Sequence, residues 1–324
     1  MRAHVATYAL LAVLALIAPV LGLYPVFLMK LLCFAMFACA FNLLLGYTKM
    51  LSFGHAAYFG SSAYVTGWLA TAQGWGTIEA IFGGVAVAML LGLVIGAIAV
   101  RRQGIYFAMI TLALSQLVFF VCLQAQFTGG ENGLQGIPRG SLFGLIGLGR
   151  DLPMYYFVLA VFLAVFVLIR RIVHSPFGQV LKAIRANEPR AVSLGYKVDR
   201  YKLVAFVLSA SIAGLAGSIK ALVLGFVTLS DVSQDTSGEV ILMTLLGGSG
   251  TFLGPVVGAN VVVALQEYLS DWVGAWVSVM IGAIFVVCVM TFRRGFVGEI
   301  QAYVARRAAT PVPPNVQARG NEEA

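Results

Sequence analysis

The sequence predicts an all-α polytopic membrane protein, and three properties of the chain lead to this fold class. Hydrophobic residues make up 60% of its 324 residues and charged residues only 10%, and the mean hydropathy is +0.93. A soluble domain carries about 25% charged residues, whereas lipid places no such demand on a protein surface. The apolar residues also fall in long runs, and a helix needs about 20 residues to cross a bilayer.

About ten hydrophobic segments are candidate spans: 6–23, 26–46, 51–72, 78–100, 104–126, 152–173, 201–228, 236–249, 252–270 and 273–292. The first follows Arg2 as in a secretory signal, but no clear cleavage site follows, so we expect a retained helix. Segment 236–249 has a short apolar core, so we expect a short or broken helix there. We assign 1–307 to one transmembrane domain and the Pro-rich, polar stretch 308–324 to a disordered tail.

Basic residues collect in three clusters that the ten spans place on one side of the membrane. The clusters are Arg101 and Arg102, the stretch 170–202, and the four arginines at 293, 294, 306 and 307. The opposite loops are poor in Lys and Arg, except for Arg139 and Arg150. The positive-inside rule therefore predicts that both termini are cytoplasmic and that 236–249 crosses the membrane. It also explains the net charge of +8, so we expect no nucleic-acid partner.

The polar, basic stretch 175–202 is predicted to form a helix–turn–helix on the cytoplasmic surface. Ser175 and Pro176 suit a helix start, Asn187 suits the cap of a second short helix, and Gly195 suits its end. Apolar residues recur at helical spacing along the first helix, at Phe177, Val180, Leu181 and Ile184. Two interpretations remain open: an interfacial helix bound to anionic lipid, or a coupling element docked on a cytoplasmic subunit.

Several motifs together resemble the LivM-type permease of branched-chain amino acid ABC importers. They are NLLLGYTKMLSFGHAAYFGSSAY from Asn42, GIYFAMITLALSQ from Gly104, TGGENGLQGIPR from Thr128, SPFGQVLKAIRANEPRAVSLGY from Ser175, LVAFVLSASIAGLAGSI from Leu203 and SGEVILMTLLGGSGTFLGPVVGA from Ser237. Two residues depart from the family pattern: Lys49, where Gly is usual, and Lys220, where an apolar or aromatic residue is usual.

The resemblance implies a subunit of an importer in the bacterial cytoplasmic (inner) membrane that works by alternating access. Its partners would be a second, LivH-like permease, two ABC ATPase subunits and an extracytoplasmic solute-binding protein. The substrate would be a branched-chain amino acid, or urea or a short amide, which related permeases carry. The implied ATPase-coupling residues are Phe177, Leu181, Lys182, Ile184, Arg185, Asn187, Glu188 and Arg190.

Motifs for chemistry on this chain are missing from the sequence, so we do not expect an enzyme. It contains no GxxxxGK[ST] phosphate-binding motif and no HExxH metal motif. We therefore expect that this chain binds no cofactor or metal, and that ATP and Mg²⁺ are used by the partner ATPases. The alternative is a self-sufficient secondary transporter or channel for a small solute.

Polar residues at bilayer depth are candidates for the solute path. Six carry this prediction: Asn42, Ser52, His55, Gln116, Lys220 and Glu239. For serines and threonines the alternative is bonding between or within helices, and for His55 it is a structural role. Lys220 and Glu239 could instead pair with each other or extend to water.

Overall fold

The structure, a computed structural model, describes residues 24–142, 146–291 and 295–299 and a few isolated positions before Tyr24. The predicted first span, apart from those isolated positions, therefore lies outside the described residues, as do the last arginine cluster and the tail. The helices are α1 (Pro25–Thr48), α2 (His55–Ala72), α3 (Thr77–Ala99), α4 (Ile105–Gln124), α5 (Asp151–His174), α6 (Pro176–Ala186), α7 (Glu188–Ser193), α8 (Val198–Leu224), α9 (Gln234–Gly247), α10 (Gly254–Val273) and α11 (Val277–Thr291).

Within the described ranges, four two-residue strands make two small antiparallel pairs in the loops. Strand β1 (Leu134–Gln135) pairs with β4 (Phe226–Val227), and β2 (Ser141–Leu142) pairs with β3 (Ile146–Gly147). Short 3-10 turns cover Gln126–Thr128, Gly130–Asn132, Leu229–Val232 and Gly274–Trp276. Apart from these strands, turns and the connecting loops, the described residues are helical, as predicted.

Five helices within the described residues are long and apolar enough to cross a membrane: α1, α3, α4, α5 and α8. Together with α2, α9, α10 and α11 they form one bundle with a common apolar core. The chain is therefore a multi-pass membrane protein.

Helix α8 lies at the centre of the bundle, packed against α1, α2 and α3. Small residues allow the backbones to approach closely: a Cβ on Gly217 would lie 1.9 Å from the carbonyl oxygen of Phe59, and one on Gly214 would lie 2.3 Å from Cβ of Ala88. Because lipid is as apolar as the side chains, such close packing, rather than hydrophobic burial, holds membrane helices together.

The two ends of the bundle differ in charge, as the sequence predicts for the described part. One end, which we call the basic end, carries residues 48–54, 100–104 and 175–202, and some residues of each stretch line one cavity. The opposite end carries the two strand pairs. Arg139, an exception to the charge pattern, is held there by Asp151 (2.5 Å) and by the carbonyl oxygen of Val223 (3.0 Å).

The chain between α8 and α10 contains the short helix that the sequence predicts at 236–249. After Gly225, which adopts φ 74°, the chain pairs as β4 and then turns inward, so that a Cβ on Gly60 of α2 would lie 2.7 Å from the carbonyl oxygen of Asp231. Helix α9 follows with 14 residues, a length of about 21 Å. It ends at the basic end, where the next turn contacts Asn42. The chain between α8 and α10 is thus irregular in its first part and a short helix in its second part.

Candidate coupling surface and translocation path

Helices α6 and α7 form the predicted helix pair, and both begin with the predicted caps. The Ser175 hydroxyl accepts a hydrogen bond from the Gly178 backbone N–H (3.3 Å), and the Asn187 side chain accepts one from the Arg190 backbone N–H (3.1 Å). Each cap satisfies a backbone donor that the helix itself leaves without a partner.

The apolar stripe of α6 packs on the protein itself. Leu181 and Ile184 are buried, Ile184 joins a small core with Ala191 and Val198, and Phe177 stacks on Tyr201 with 5.7 Å between ring centroids. The stripe therefore fills the joint between the helix pair and the bundle. The surface of the helix pair that is left for a partner is therefore the one facing away from the bundle.

Two charged residues of the predicted coupling set tie the helix pair to the transmembrane helices. Arg185 donates to the carbonyl oxygen of Gly46, near the end of α1. Glu188 accepts from Nζ of Lys202 on α8 (2.5 Å) and from Nε2 of Gln103 between α3 and α4 (2.8 Å). Buried or half-buried ion pairs of this kind resist separation, because either charge left alone is poorly solvated. The helix pair is therefore anchored to α1 through Arg185 and to α8 through Glu188.

Helix α7 and the turn that follows it expose large apolar side chains close in sequence to the exposed cation Arg190. Val192 is 57% exposed and Leu194 68% exposed. Arg190, which the sequence places in the coupling set, is exposed beside them, whereas Lys182 of that set is half-buried on α6. Large apolar side chains grouped on a polar surface usually mark a contact with another molecule. We call residues 190–196 the docking patch.

Helix α2 begins inside the bundle rather than at its end. The His55 ring packs against Phe37 and Phe41 of α1, with centroid distances of 6.2 and 5.2 Å, about two turns before α1 ends. The preceding chain is non-helical and enters the bundle: Ser52 is fully buried and accepts from the backbone N–H of Gly54 (3.3 Å). The first turn of α2 meets α9, since the Ala56 N–H donates to the Ser237 hydroxyl (3.0 Å).

Two of the predicted path residues, His55 and Asn42, join separate elements of the bundle. His55 Nε2 lies 2.9 Å from the Ser209 hydroxyl on α8. Asn42 holds the glycine-rich turn between α9 and α10: its Oδ1 accepts from the Gly250 N–H (2.8 Å), and its Nδ2 donates to the Thr251 carbonyl (3.0 Å). Both side chains thus hold neighbouring elements of the bundle together. For His55 this is the structural role that we gave as the alternative.

Lys220 forms a buried ion pair with Asp231, so the alternative in which it pairs with Glu239 is wrong. Its Nζ lies 2.6 Å from the Asp231 carboxylate, and the two side chains are 6% and 9% exposed. The same ammonium lies 5.6 Å from the centroid of the Phe226 ring. Asp231 also accepts from the Thr228 N–H (3.2 Å). The pairing of Lys220 with Asp231 was not predicted from the sequence.

Glu239 instead lies on a half-exposed polar face shared by α1, α9 and α10. Its carboxylate accepts from Nε2 of Gln266 (2.8 Å), and next to this pair Lys30 contacts Glu267 (2.7 Å). Gln266 and Glu267 were not predicted as path residues. The packing of α10 against α9 and α1 places them beside Glu239 and Lys30. Gln116, on α4, is half-buried and lies outside this group.

Comparison with known proteins gives the family. The family model described as "Branched-chain amino acid transport system / permease component" matches residues 25–289. The high-affinity branched-chain amino acid transport system permease protein LivM of Escherichia coli K12 is 30% identical over 270 residues, which is 76% of this chain and 63% of that protein. LivM of Salmonella typhimurium is 28% identical over 268 residues, with the same shares.

A more distant relative is the autoinducer 2 import system permease protein LsrC of Klebsiella pneumoniae, 32% identical over 181 residues, which is 54% of this chain and 50% of that protein. The chain thus spans less than two thirds of the length of the relatives it matches. No solved structure matches. Because the family model covers most of the chain, from α1 to α11, the chain belongs to the family of permease components of branched-chain amino acid transport systems.

Proposed function

We propose that this chain is one permease subunit of an ABC importer that carries branched-chain amino acids across the bacterial inner membrane. The observation that carries the proposal is the docking patch: exposed apolar side chains on a helix pair that is anchored to two transmembrane helices. Family membership and the names of the LivM relatives support the same function.

The helix pair would receive the movement of an ATPase subunit. ATP and Mg²⁺ would act in that subunit, and this chain would bind neither. A displacement of α6 and α7 would reach α1 through Arg185 and Gly46, and α8 through Glu188 and Lys202. Since α1 and α8 contact each other, the two helices would shift together and alternate the access of the path.

The path would run where two helices begin within the bundle, along the polar face of α1, α9 and α10. The N-terminal ends of α2 and α9 carry partial positive charge suited to a carboxylate. Glu239 would contact the ammonium of an amino acid, and the apolar walls would contact its side chain. A second, LivH-like permease would complete the path, and a solute-binding protein would deliver the substrate from outside.

Replacing Leu194 by glutamate tests the docking role. We expect the ATPase subunits to be lost from the purified complex, with the permease still inserted in the membrane. Leu152→Glu is the matched control, since Leu152 is also an exposed leucine but lies at the opposite end of the bundle. Normal recovery of the ATPases with the Leu194 variant would contradict the proposal.

A further inference from the structure

A cavity of about 800 Å³ opens at the basic end of the protein, between the helix pair and the ends of α1 and α4. Its inner walls are apolar and include Met50, Phe53 and Phe107. Its lining also contains four cations, Lys49, Arg102, Arg185 and Lys202, and one carboxylate, Glu188. Glu188 is already bound by Lys202 and Gln103. The cavity therefore has an excess of positive charge over an apolar interior.

Lys49 has an unusual backbone conformation at this cavity. It ends α1 with φ 59° and ψ 21°, the left-handed conformation. Among the described residues, Lys49 is the only one other than glycine that has a positive φ. A side chain in this region costs about 1–2 kcal/mol. Strain of this kind occurs where a residue has a task in binding or switching. Here the strained position brings a cation to the cavity.

An apolar surface continues from the cavity along α4. Ile105 lines the cavity and is itself 71% exposed, and Met109, one turn further along the helix, is also exposed. A ligand with a charged head and a long apolar part could therefore place its head among the cations and its apolar part along α4. A small soluble anion would use only the first of these surfaces.

We propose that this cavity binds the phosphate headgroup of an anionic phospholipid from the cytoplasmic leaflet. The phosphate would bridge Lys49 and Arg102, at the ends of α1 and α3, to Arg185 on α6. Basic groups at the membrane surface attract anionic lipid with a strength that adds up over the cations present. The bound lipid would thus strengthen the joint through which the helix pair contacts the transmembrane helices.

The test uses the full-length chain, purified with its partner subunits in a neutral detergent and titrated with phosphatidylglycerol under native mass spectrometry. The test variant is Lys49→Gly with Arg102→Gln; the glycine suits the positive φ, so folding is preserved. The matched control is Arg101→Gln with Arg200→Gln, which removes the same charge from exposed positions outside the cavity lining. We expect binding about 30-fold weaker in the test variant and within about twofold of wild type in the control.

Three results would overturn the proposal. The first is that wild type retains no phosphatidylglycerol above the level of phosphatidylcholine. The second is that both double variants weaken binding equally, which would indicate general surface charge. The third is that inorganic pyrophosphate binds with the same dependence on Lys49 and Arg102 while phosphatidylglycerol does not, which would make the ligand a soluble phosphate.

Discussion

Replacing Asp231 by asparagine tests whether the buried ion pair holds the irregular chain before α9 in place. The substitution keeps the shape of the side chain and leaves the Lys220 ammonium without its counterion, in a site where its side chain is 6% exposed. Breaking a buried pair by removing one partner costs about 3–5 kcal/mol. The contact of this ammonium with the Phe226 ring, 5.6 Å away, is present in both forms and does not offset the cost. We expect a loss of about 3–5 kcal/mol.

The assay is reversible unfolding of the purified protein in mixed micelles, applied to a double-mutant cycle. Lys220→Met should also destabilise the protein, since Asp231 would then be buried alone, and the combined variant should recover much of the loss. Asp235→Asn is the matched control, because Asp235 is exposed in the first turn of α9; it should cost less than about 1 kcal/mol. Single losses below about 1 kcal/mol that simply add in the combined variant would refute the reasoning.

Three further predictions concern packing, backbone strain and orientation. Gly217→Ala should destabilise the bundle by about 1–3 kcal/mol, because the new methyl group would meet the Phe59 carbonyl. The control Gly238→Ala should be neutral, because nothing lies within 4 Å of the new atom. Equal thermal stabilities of the two variants would contradict this. Lys49→Gly alone should raise the thermal stability by up to about 1 kcal/mol, because relief of the left-handed strain, about 1–2 kcal/mol, exceeds the entropic cost of glycine, about 0.5–1 kcal/mol. A lowered midpoint would count against strain at this turn. A cysteine at position 187 should react with an impermeant maleimide from the cytoplasm only, and one at position 75 from outside only; the reverse labelling would overturn the orientation.

The helical segments were well predicted from sequence because lipid imposes a simple rule on composition and length. Spans 26–46, 78–100 and 152–173 match α1, α3 and α5 to within one or two residues. The predicted span 51–72 is less accurate, because α2 begins only at His55. Hydropathy does not distinguish a helix from apolar chain that enters the bundle without helical structure, and residues 51–54 are such chain.

Side-chain partners were predicted less well, since they depend on which helices meet. The caps at Ser175 and Asn187 are local and were predicted correctly. The partner of Lys220 was not, because Asp231 reaches it only when the irregular chain folds inward from the opposite end. What an amphipathic helix packs its apolar stripe against is also not set by local sequence. The spacing around Leu181 predicted the stripe, but only the fold shows that the stripe is buried against the rest of the protein.

The most direct test of the central claim is uptake of labelled leucine into proteoliposomes that contain this chain, with the other components supplied or omitted one at a time. We expect uptake only when the second permease, both ATPase subunits, the loaded binding protein and ATP on the cytoplasmic side are all present. Loss of the ATPases or of ATP should abolish uptake, since this chain has no motif for binding ATP. Leucine uptake that persists without the ATPases, driven by an ion gradient, would contradict the account and favour a secondary transporter.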